Sequence, residues 1–174
     1  LSQTHGHEIS GQIHKRAIAA LIGLAHRLEG TGKVVIKLHP NESDGFYRRY
    51  FRRSDLKSLT FISNQAEYLD LLSTSNIVCS LFSTGLLEAL ILGKPVIELW
   101  FDDSKPLLDL PSIGGAKAIR DVRELYEAVR RLSAPAAAEN MVKTQRRMLD
   151  DVLSHQGKAA NTIVELIGNA SLRN

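Results

Sequence analysis

The sequence lacks most of the features that would place it outside the ordinary globular class. It has one cysteine, Cys79, inside the apolar segment NIVCSLF, which excludes an internal disulfide framework and predicts a buried, unreactive thiol. Aromatic residues make up 6% of the chain and the net charge is +3, whereas nucleic-acid-binding surfaces usually carry a larger basic excess with interleaved aromatics. The chain has no run of 18 or more apolar residues and no basic-then-apolar leader. We therefore expect no membrane span, no signal peptide and a cytoplasmic location.

Several motifs of nucleotide-binding and hydrolytic enzymes are also missing. The chain contains neither GxGxxG nor GxxxxGK[ST], which disfavours a dinucleotide dehydrogenase and a P-loop NTPase. It contains no GxSxG either, so a hydrolase triad has no anchor. His5 and His7 have only Glu8 as a further ligand at suitable spacing, and a zinc site is therefore disfavoured.

What is present fits one compact soluble domain. The chain has 174 residues, 44% of them hydrophobic and 24% charged, enough to bury a core. Arginines cluster at 48, 49, 52 and 53, and again at 146 and 147. We interpret them as solvated helix faces. The alternative interpretation is attraction to an anionic partner, either a phosphorylated acceptor or the inner membrane surface.

The order of the predicted elements indicates the fold class. Helical spacing of apolar residues and short β-branched runs predict alternating helices and strands. The predicted helices cover 12–29, 46–53, 65–72, 86–92, 123–132, 138–153 and 158–167, and the strands cover 33–38, 59–62, 76–80, 95–99 and 116–119. This order is typical of βαβ units and predicts an α/β, Rossmann-like, doubly wound parallel sheet of about six strands with helices on both faces. We expect residues 1–174 to form a single domain, with the last helices, 121–170, packed on the sheet.

Ligands of doubly wound sheets bind at the carboxyl ends of the strands, so the segments that follow strands are the candidate site. The first is the stretch from Ser83 to Glu88. A helix that begins at Leu86, after the turn, would expose free amide groups and a positive dipole end to an anion, with the hydroxyls of Ser83 and Thr84 as donors. Gly85 would allow close approach of the ligand to the backbone. Glu88, one turn later, would reach a ribose. The alternative is a plain helix cap.

The second candidate segment is His39, Pro40 and Asn41, at the end of a predicted strand. The proline restricts the preceding backbone and fixes the imidazole toward the same crevice. A protonated His39 would stabilise the charge that develops on a leaving nucleotide, which makes it the candidate catalytic residue. The alternative is a His-Pro turn whose ring binds a backbone carbonyl.

The third candidate segment contains Gln3, His5 and Gly6, at what we expect to be the first strand-to-helix turn. These residues would meet the donor phosphates or the acceptor. Exposed loop residues are the alternative. The segment has little room before it for a preceding strand, so we expect the sequence to be part of a longer protein.

Five segments together resemble the C-terminal domain of GT-B nucleotide-sugar enzymes. They are Ser2-Gln3, His39-Pro40, Ser83-Thr84 with Glu88, the run LGKPVI at 92–97, and GKAAN at 157–161. The order and spacing are similar to the group of CDP-glycerol glycerophosphotransferases, capsule polysaccharide enzymes and polysialyltransferases, and more distantly to UDP-N-acetylglucosamine 2-epimerase. The epimerase pattern has a Ser-Gly-Gly turn and two adjacent acidic residues, where this chain has Phe82-Ser83-Thr84 and Leu87-Glu88. The difference favours a transferase.

The resemblance implies a donor-binding half-enzyme. His39 would contact the donor phosphate, Ser83 and Thr84 would hold the phosphates, and Glu88 would hold the ribose. The donor would be a CMP-, CDP- or UDP-activated sugar or polyol used in cell-envelope or capsule polysaccharide synthesis, and catalysis would need no metal or other cofactor. The general base would come from an N-terminal acceptor domain that this chain lacks. The alternatives are an epimerase-like enzyme and a non-catalytic nucleotide-binding or scaffold module.

Overall fold

A computed structural model describes residues 11–38, 59–62, 68–81, 83–101, 109–153 and 158. In these ranges the helices are α1 (Gly11–Arg27), α2 (Tyr68–Thr74), α3 (Gly85–Ile91), α4 (Val122–Leu132) and α5 (Pro135–Val152). The strands are β1 (Val34–Lys37), β2 (Leu59–Ile62), β3 (Val78–Ser80), β4 (Val96–Leu99) and β5 (Lys117–Ile119). None of these helices is long and apolar enough to cross a membrane. The predicted helix over 46–53 lies outside the described residues, as does 158–167 apart from Lys158.

All strand pairs in these ranges are parallel, as predicted. β1 pairs with β2, and β4 lies between β3 and β5. Every residue of β4 is buried, as expected for a central strand covered on both faces. The described strands number five rather than the six expected, in a two-stranded and a three-stranded group. The α/β, Rossmann-like class is confirmed.

The two faces of β4 belong to two different apolar clusters. Ile97 and Leu99 pack with side chains of α1 and α4. Val96, which points the opposite way because side chains alternate along a strand, packs with α2, α3 and α5. The first cluster also contains Val34 of β1 and Leu59 of β2, so both groups of strands share it. Helices therefore cover both faces, as a doubly wound sheet requires.

Local sequence explains where several helices begin and end. The Asp121 carboxylate accepts the N–H of Arg123 at 2.6 Å and caps α4. α5 begins with Pro135, which is well suited to a first helical position. α3 is followed by Gly93 at φ 68°, whose N–H donates to the Leu90 carbonyl at 2.9 Å. This left-handed position explains the glycine after the predicted helix.

Cys79 is less buried than the sequence predicts, but its thiol has the low reactivity expected. It is a free, half-buried cysteine on β3 that packs against the cluster of α1 and α4. Burial of the thiol raises its pKa to about 12. The thiol therefore stays protonated near neutral pH and is a poor nucleophile.

Glu98 is a charged residue inside the central strand. It is 2% exposed, and its Oε2 atom makes no hydrogen bond of normal geometry within the described ranges. Burial raises the pKa of its carboxyl to about 7, the nearby Trp100 indole offsets part of the increase, and Asp109 adds to it. An ionised carboxylate at this buried position would have too few hydrogen bonds to offset the loss of hydration, so the protonated, neutral form is favoured.

Glu98 predicts a specific pH dependence of stability. Its folded pKa of about 7 lies above the ordinary 4.5, so its contribution is complete below pH 4.5 and is lost as the pH rises through 7. The free energy of unfolding should fall by at most about 1.4 kcal/mol per pH unit in that window. Glu98→Gln removes the titrating carboxyl. In urea unfolding, the free energy of unfolding of the variant should therefore rise relative to that of the wild type from pH 5 to pH 8. The exposed Glu29→Gln is the charge control, and an unchanged difference across this range would contradict the assignment.

A second stability prediction compares two glycines. A Cβ on Gly115, in the turn before β5, would lie 2.7 Å from Met148 Cε and 3.3 Å from the Leu110 carbonyl oxygen. Gly115→Ala should therefore destabilise the fold by about 1 to 3 kcal/mol through overpacking. A Cβ on Gly23, inside α1, meets nothing within 4 Å, so Gly23→Ala should stabilise the fold by about 0.5 to 1 kcal/mol. Urea unfolding of both variants tests the pair, and equal effects would contradict this packing.

Candidate functional site

The turn between β3 and α3 is the best-described part of the predicted site. β3 ends at Ser80, and α3 begins at Gly85. Ser83 Oγ accepts the N–H of Gly85 at 3.1 Å. The Ser83 carbonyl accepts the N–H of Leu86 at 3.1 Å, and the Thr84 carbonyl accepts the N–H groups of Leu87 at 2.9 Å and Glu88 at 3.4 Å. The turn is therefore held by its own backbone and by one serine hydroxyl.

These bonds correct one expectation. The amide groups of residues 85–88 were expected to be free for an anion, but each of them is engaged inside the turn. The expectation was wrong because Ser83 and Thr84 supply acceptors of their own, which tighten the start of the helix. An anion at this turn would have to be held by side-chain hydroxyls and by the helix dipole.

The two hydroxyl residues have different roles. Ser83 is half-buried, and its hydroxyl oxygen caps the helix. Thr84 is exposed, has helical backbone angles of φ −58° and ψ −25°, and its side chain makes no capping bond. Thr84 Oγ1 therefore remains available to solvent or to a ligand at the carboxyl edge of the three-stranded group.

Glu88 lies in the first turn of α3 and is exposed. It interacts electrostatically with Tyr68, the first residue of α2. Burial raises the pKa of the Tyr68 hydroxyl, and the Glu88 carboxylate raises it further. The two groups are close, but the Tyr68 hydroxyl makes no hydrogen bond of normal geometry there. A ligand hydroxyl or a water molecule would satisfy that buried oxygen.

The carboxyl end of β4 leads into two aromatic residues that the sequence alone could not assign. Phe101 is 4% exposed and belongs to the core. Its carbonyl accepts a hydrogen bond from Arg16 Nη1 at 2.5 Å. Trp100 is half-buried, and the Arg120 guanidinium stacks over its ring at 4.7 Å. Trp100 and Arg120 thus line the carboxyl edge, whereas Phe101 is structural.

Six predicted site residues lie outside the described residues: Gln3, His5, Gly6, His39, Pro40 and Asn41. Their roles stay predictions. The described chain after β1 runs to Leu38, which is buried and directly precedes His39 in the sequence. The structure brings Ser83, Thr84, Gly85 and Glu88 together on one strand-turn-helix unit. No group of three metal-ligating side chains forms in the part of the chain that the structure describes.

Sequence reasoning missed Tyr68, Glu98 and Arg120. Tyr68 comes near Glu88 only because α2 and α3 pack on the same face of the sheet. Glu98 sits in an otherwise apolar strand, which was the only sequence signal of a buried carboxyl. Arg120 is placed over Trp100 by the pairing of β4 with β5, which no local pattern reveals.

The amino-acid sequence matches no protein-family model and no curated protein, but the structure is similar to several solved ones. The UDP-GlcNAc 2-epimerase of Neisseria meningitidis, solved with UDP-GlcNAc bound, aligns with 92% of this chain at 25% identity and a TM-score of 0.66. WaaG, a glycosyltransferase of lipopolysaccharide biosynthesis, aligns with 86% at 18% identity and a TM-score of 0.58. HepE of Anabaena, solved with UDP-glucose, aligns with 81% at 13% identity and a TM-score of 0.55.

In each case the chain spans less than half of the other protein: 41% of the epimerase, 43% of WaaG and 46% of HepE. The similarity covers between 81% and 92% of this chain. The chain therefore has the fold of the C-terminal domain of GT-B enzymes.

Proposed function

We propose that this domain binds the diphosphate and nucleoside of a nucleotide-activated donor. Its enzyme would transfer a glycosyl or glycerophosphate group from a CMP-, CDP- or UDP-linked donor during cell-envelope or capsule polysaccharide synthesis. The observation that carries the proposal is the exposed Thr84 hydroxyl at the start of α3, which makes no helix-capping bond and lies on the edge of the sheet where this fold class binds ligands.

The geometry of the turn supports a phosphate ligand. Ser83 fixes the helix start, so Thr84 is held in place without using its own hydroxyl. The positive end of the α3 dipole favours negative charge at the same point. Glu88, which carries a negative charge, would instead accept hydrogen bonds from ribose hydroxyls one turn away. His39 would add a cationic contact from the end of β1.

The structural neighbours support the nucleotide-sugar class. The epimerase was solved with UDP-GlcNAc and HepE with UDP-glucose. Because the chain spans less than half of each, catalysis would need groups from a second domain, and we propose that an N-terminal acceptor domain supplies the general base. Catalysis would need no metal, since the diphosphate would be held by hydroxyls, the dipole and His39.

An epimerase-like activity is the second candidate. The observation that favours it is the 25% identity and the TM-score of 0.66 to UDP-GlcNAc 2-epimerase. The turn sequence Ser83-Thr84 and the single acidic residue Glu88 favour a transferase. A non-catalytic nucleotide-binding module is the third candidate function for the same site. Such a module would bind nucleotide but would not turn it over, even in the presence of a second domain.

We further propose that the enzyme works in the cytoplasm, next to the inner surface of the membrane. Exposed Arg146 and Arg147 on α5 would contribute to attraction toward anionic headgroups. The arginines at 48, 49, 52 and 53 lie outside the described residues, and their contribution stays a prediction.

Thr84→Val tests the donor site directly, because it removes the hydroxyl and keeps the shape of the side chain. Calorimetric titration with CMP, CDP, UMP and UDP should show selective binding of one pyrimidine nucleotide by the wild type. Loss of a hydrogen bond to a charged phosphate should weaken that binding roughly 10- to 150-fold in Thr84→Val. His39→Ala should weaken it by a similar factor.

Two further variants control this experiment. Thr144→Val makes the same chemical change on the exposed surface of α5, where the hydroxyl donates to the Asn140 carbonyl, and should bind like the wild type. Ser83→Ala should lower the free energy of unfolding by about 0.5 to 2 kcal/mol, because it removes a cap, whereas Thr84→Val should leave stability nearly unchanged. Equal nucleotide affinity of Thr84→Val and wild type would reject Thr84 as a donor ligand.

The half-enzyme proposal predicts binding without turnover. Proton NMR of this chain with UDP-GlcNAc should show broadened ligand signals at once and an unchanged ligand after prolonged incubation, because the general base is expected from another domain. Buffer alone with UDP-GlcNAc is the control. Appearance of the C2 epimer would establish the epimerase alternative, and release of UDP by this chain alone would show that it carries its own catalytic base.

A further inference from the structure

A groove lies at the opposite edge of the sheet from the Thr84 turn. It has a volume of about 400 Å³ and is bounded by the chain just before β3, the turn between α3 and β4, and one face of α5 between residues 138 and 146. Its polar lining comes from Ser75, Asn76, Lys94, Glu139, Lys143 and Arg146. We name it the amino-edge pocket, because it lies where β3 and β4 begin. Its volume falls within the range of about 300 to 1,000 Å³ usual for small-ligand sites.

The charges of the amino-edge pocket do not balance. Lys143 forms an ion pair with Glu139, with Nζ and Oε1 2.9 Å apart. Lys94 donates a hydrogen bond from Nζ to the Ser73 carbonyl, a neutral acceptor at the end of α2. Arg146 has neither a salt bridge nor a hydrogen bond within the described ranges. Three cations therefore share one carboxylate, which leaves a local excess of positive charge.

Helix-end stabilisation explains only part of this excess. Cations near helix C-termini offset the negative end of the dipole, and Lys94 does so for α2 and α3. Arg146 lies inside α5, so no end of its own helix accounts for it, and although its guanidinium lies beside Gly93 at the end of α3, it donates no hydrogen bond to that helix end within the described ranges. It is an exposed guanidinium whose five donors have no partner within the described ranges.

The backbone brings Arg146 to the turn after α3. Gly93 has φ 68°, and a Cβ there would lie 3.5 Å from Arg146 Nη2 and 3.8 Å from Val142 Cγ1. Glu139, Val142 and Arg146 follow each other at spacings of three and four residues, so they share one face of α5. The Arg146 guanidinium therefore lies next to Gly93, the residue that precedes Lys94, and lines the groove.

We propose that the amino-edge pocket binds a phosphate group, with Arg146 and Lys143 as its cationic ligands. A guanidinium can bind two phosphate oxygens at once, while a lysine ammonium acts as a point charge. The phosphate would belong to a soluble phosphorylated compound or to a lipid headgroup. The site is independent of the proposed donor site, because the two lie at opposite edges of the same sheet.

Residue-resolved NMR tests the proposal with the whole chain. Inorganic phosphate titrated into the ¹⁵N-labelled protein should shift the amide signals of Gly93 and Lys94. Arg146→Gln and Lys143→Gln should each weaken binding roughly three- to fivefold at low salt, and the double variant about tenfold. Arg147→Gln is the matched control, since it removes the same charge from the next residue without touching the pocket, and should change binding less than about twofold.

A vesicle experiment identifies the source of the phosphate group. Selective co-sedimentation with phosphatidylcholine vesicles that contain phosphatidylglycerol, lost in Arg146→Gln but only weakened in Arg147→Gln, would identify a lipid headgroup. Binding of free phosphate with no vesicle selectivity would identify a soluble ligand. Two results would overturn the proposal: unshifted Gly93 and Lys94 signals with both probes, or equal losses in Arg146→Gln and Arg147→Gln. Shifts confined to Gly85 and Leu86 would also overturn it while leaving the donor site intact.

Discussion

The structure depends on the parallel pairing of β4 with a strand on each side. Parallel neighbouring strands must be joined by connections that run over a face of the sheet, as α3 does between β3 and β4. Because helices cover both faces, β4 is buried along its whole length, and its residues are apolar except for Glu98. The same pairing places the carboxyl ends of β3, β4 and β5 at one edge. The Thr84 turn, Trp100 and Arg120 therefore follow strands at the same edge, although they are distant in sequence.

At that edge, the adjacent hydroxyls of Ser83 and Thr84 make different interactions. A helix start needs an acceptor for its first amide groups, and Ser83 supplies it. The cap uses one acceptor site of the Ser83 oxygen and fixes the direction of the side chain, while its O–H group remains a donor. Thr84 is exposed and makes no capping bond, so both the donor and the acceptor sites of its hydroxyl face solvent. A phosphate at this turn would therefore meet one donor fixed by the cap and one that the cap does not restrict.

Within the described ranges, local patterns predicted the strands, the helices and Gly93 well, because each depends on residues close in sequence. Strand 95–99 was found from a β-branched run after proline, and β4 covers all but its first residue. The engaged amides of residues 85–88 were not predicted, since they depend on the detailed dihedral angles of one turn. The proximity of Tyr68 and Glu88 and the burial of Glu98 arise from packing between distant segments. Of the predicted site, only the part from Ser83 to Glu88 has been placed; its role in binding stays a prediction.

The two candidate anion sites differ in the physics that would hold a ligand. At the start of α3 the helix dipole attracts an anion and one free hydroxyl gives it direction, so binding there depends mainly on short-range hydrogen bonds. The amino-edge pocket lies near the end of α3, where the dipole opposes an anion, and exposed cations must overcome it through long-range charge. Salt screens exposed charges within about 10 Å at 0.1 M. Affinity at the amino-edge pocket must therefore fall more steeply with ionic strength than affinity at the Thr84 turn.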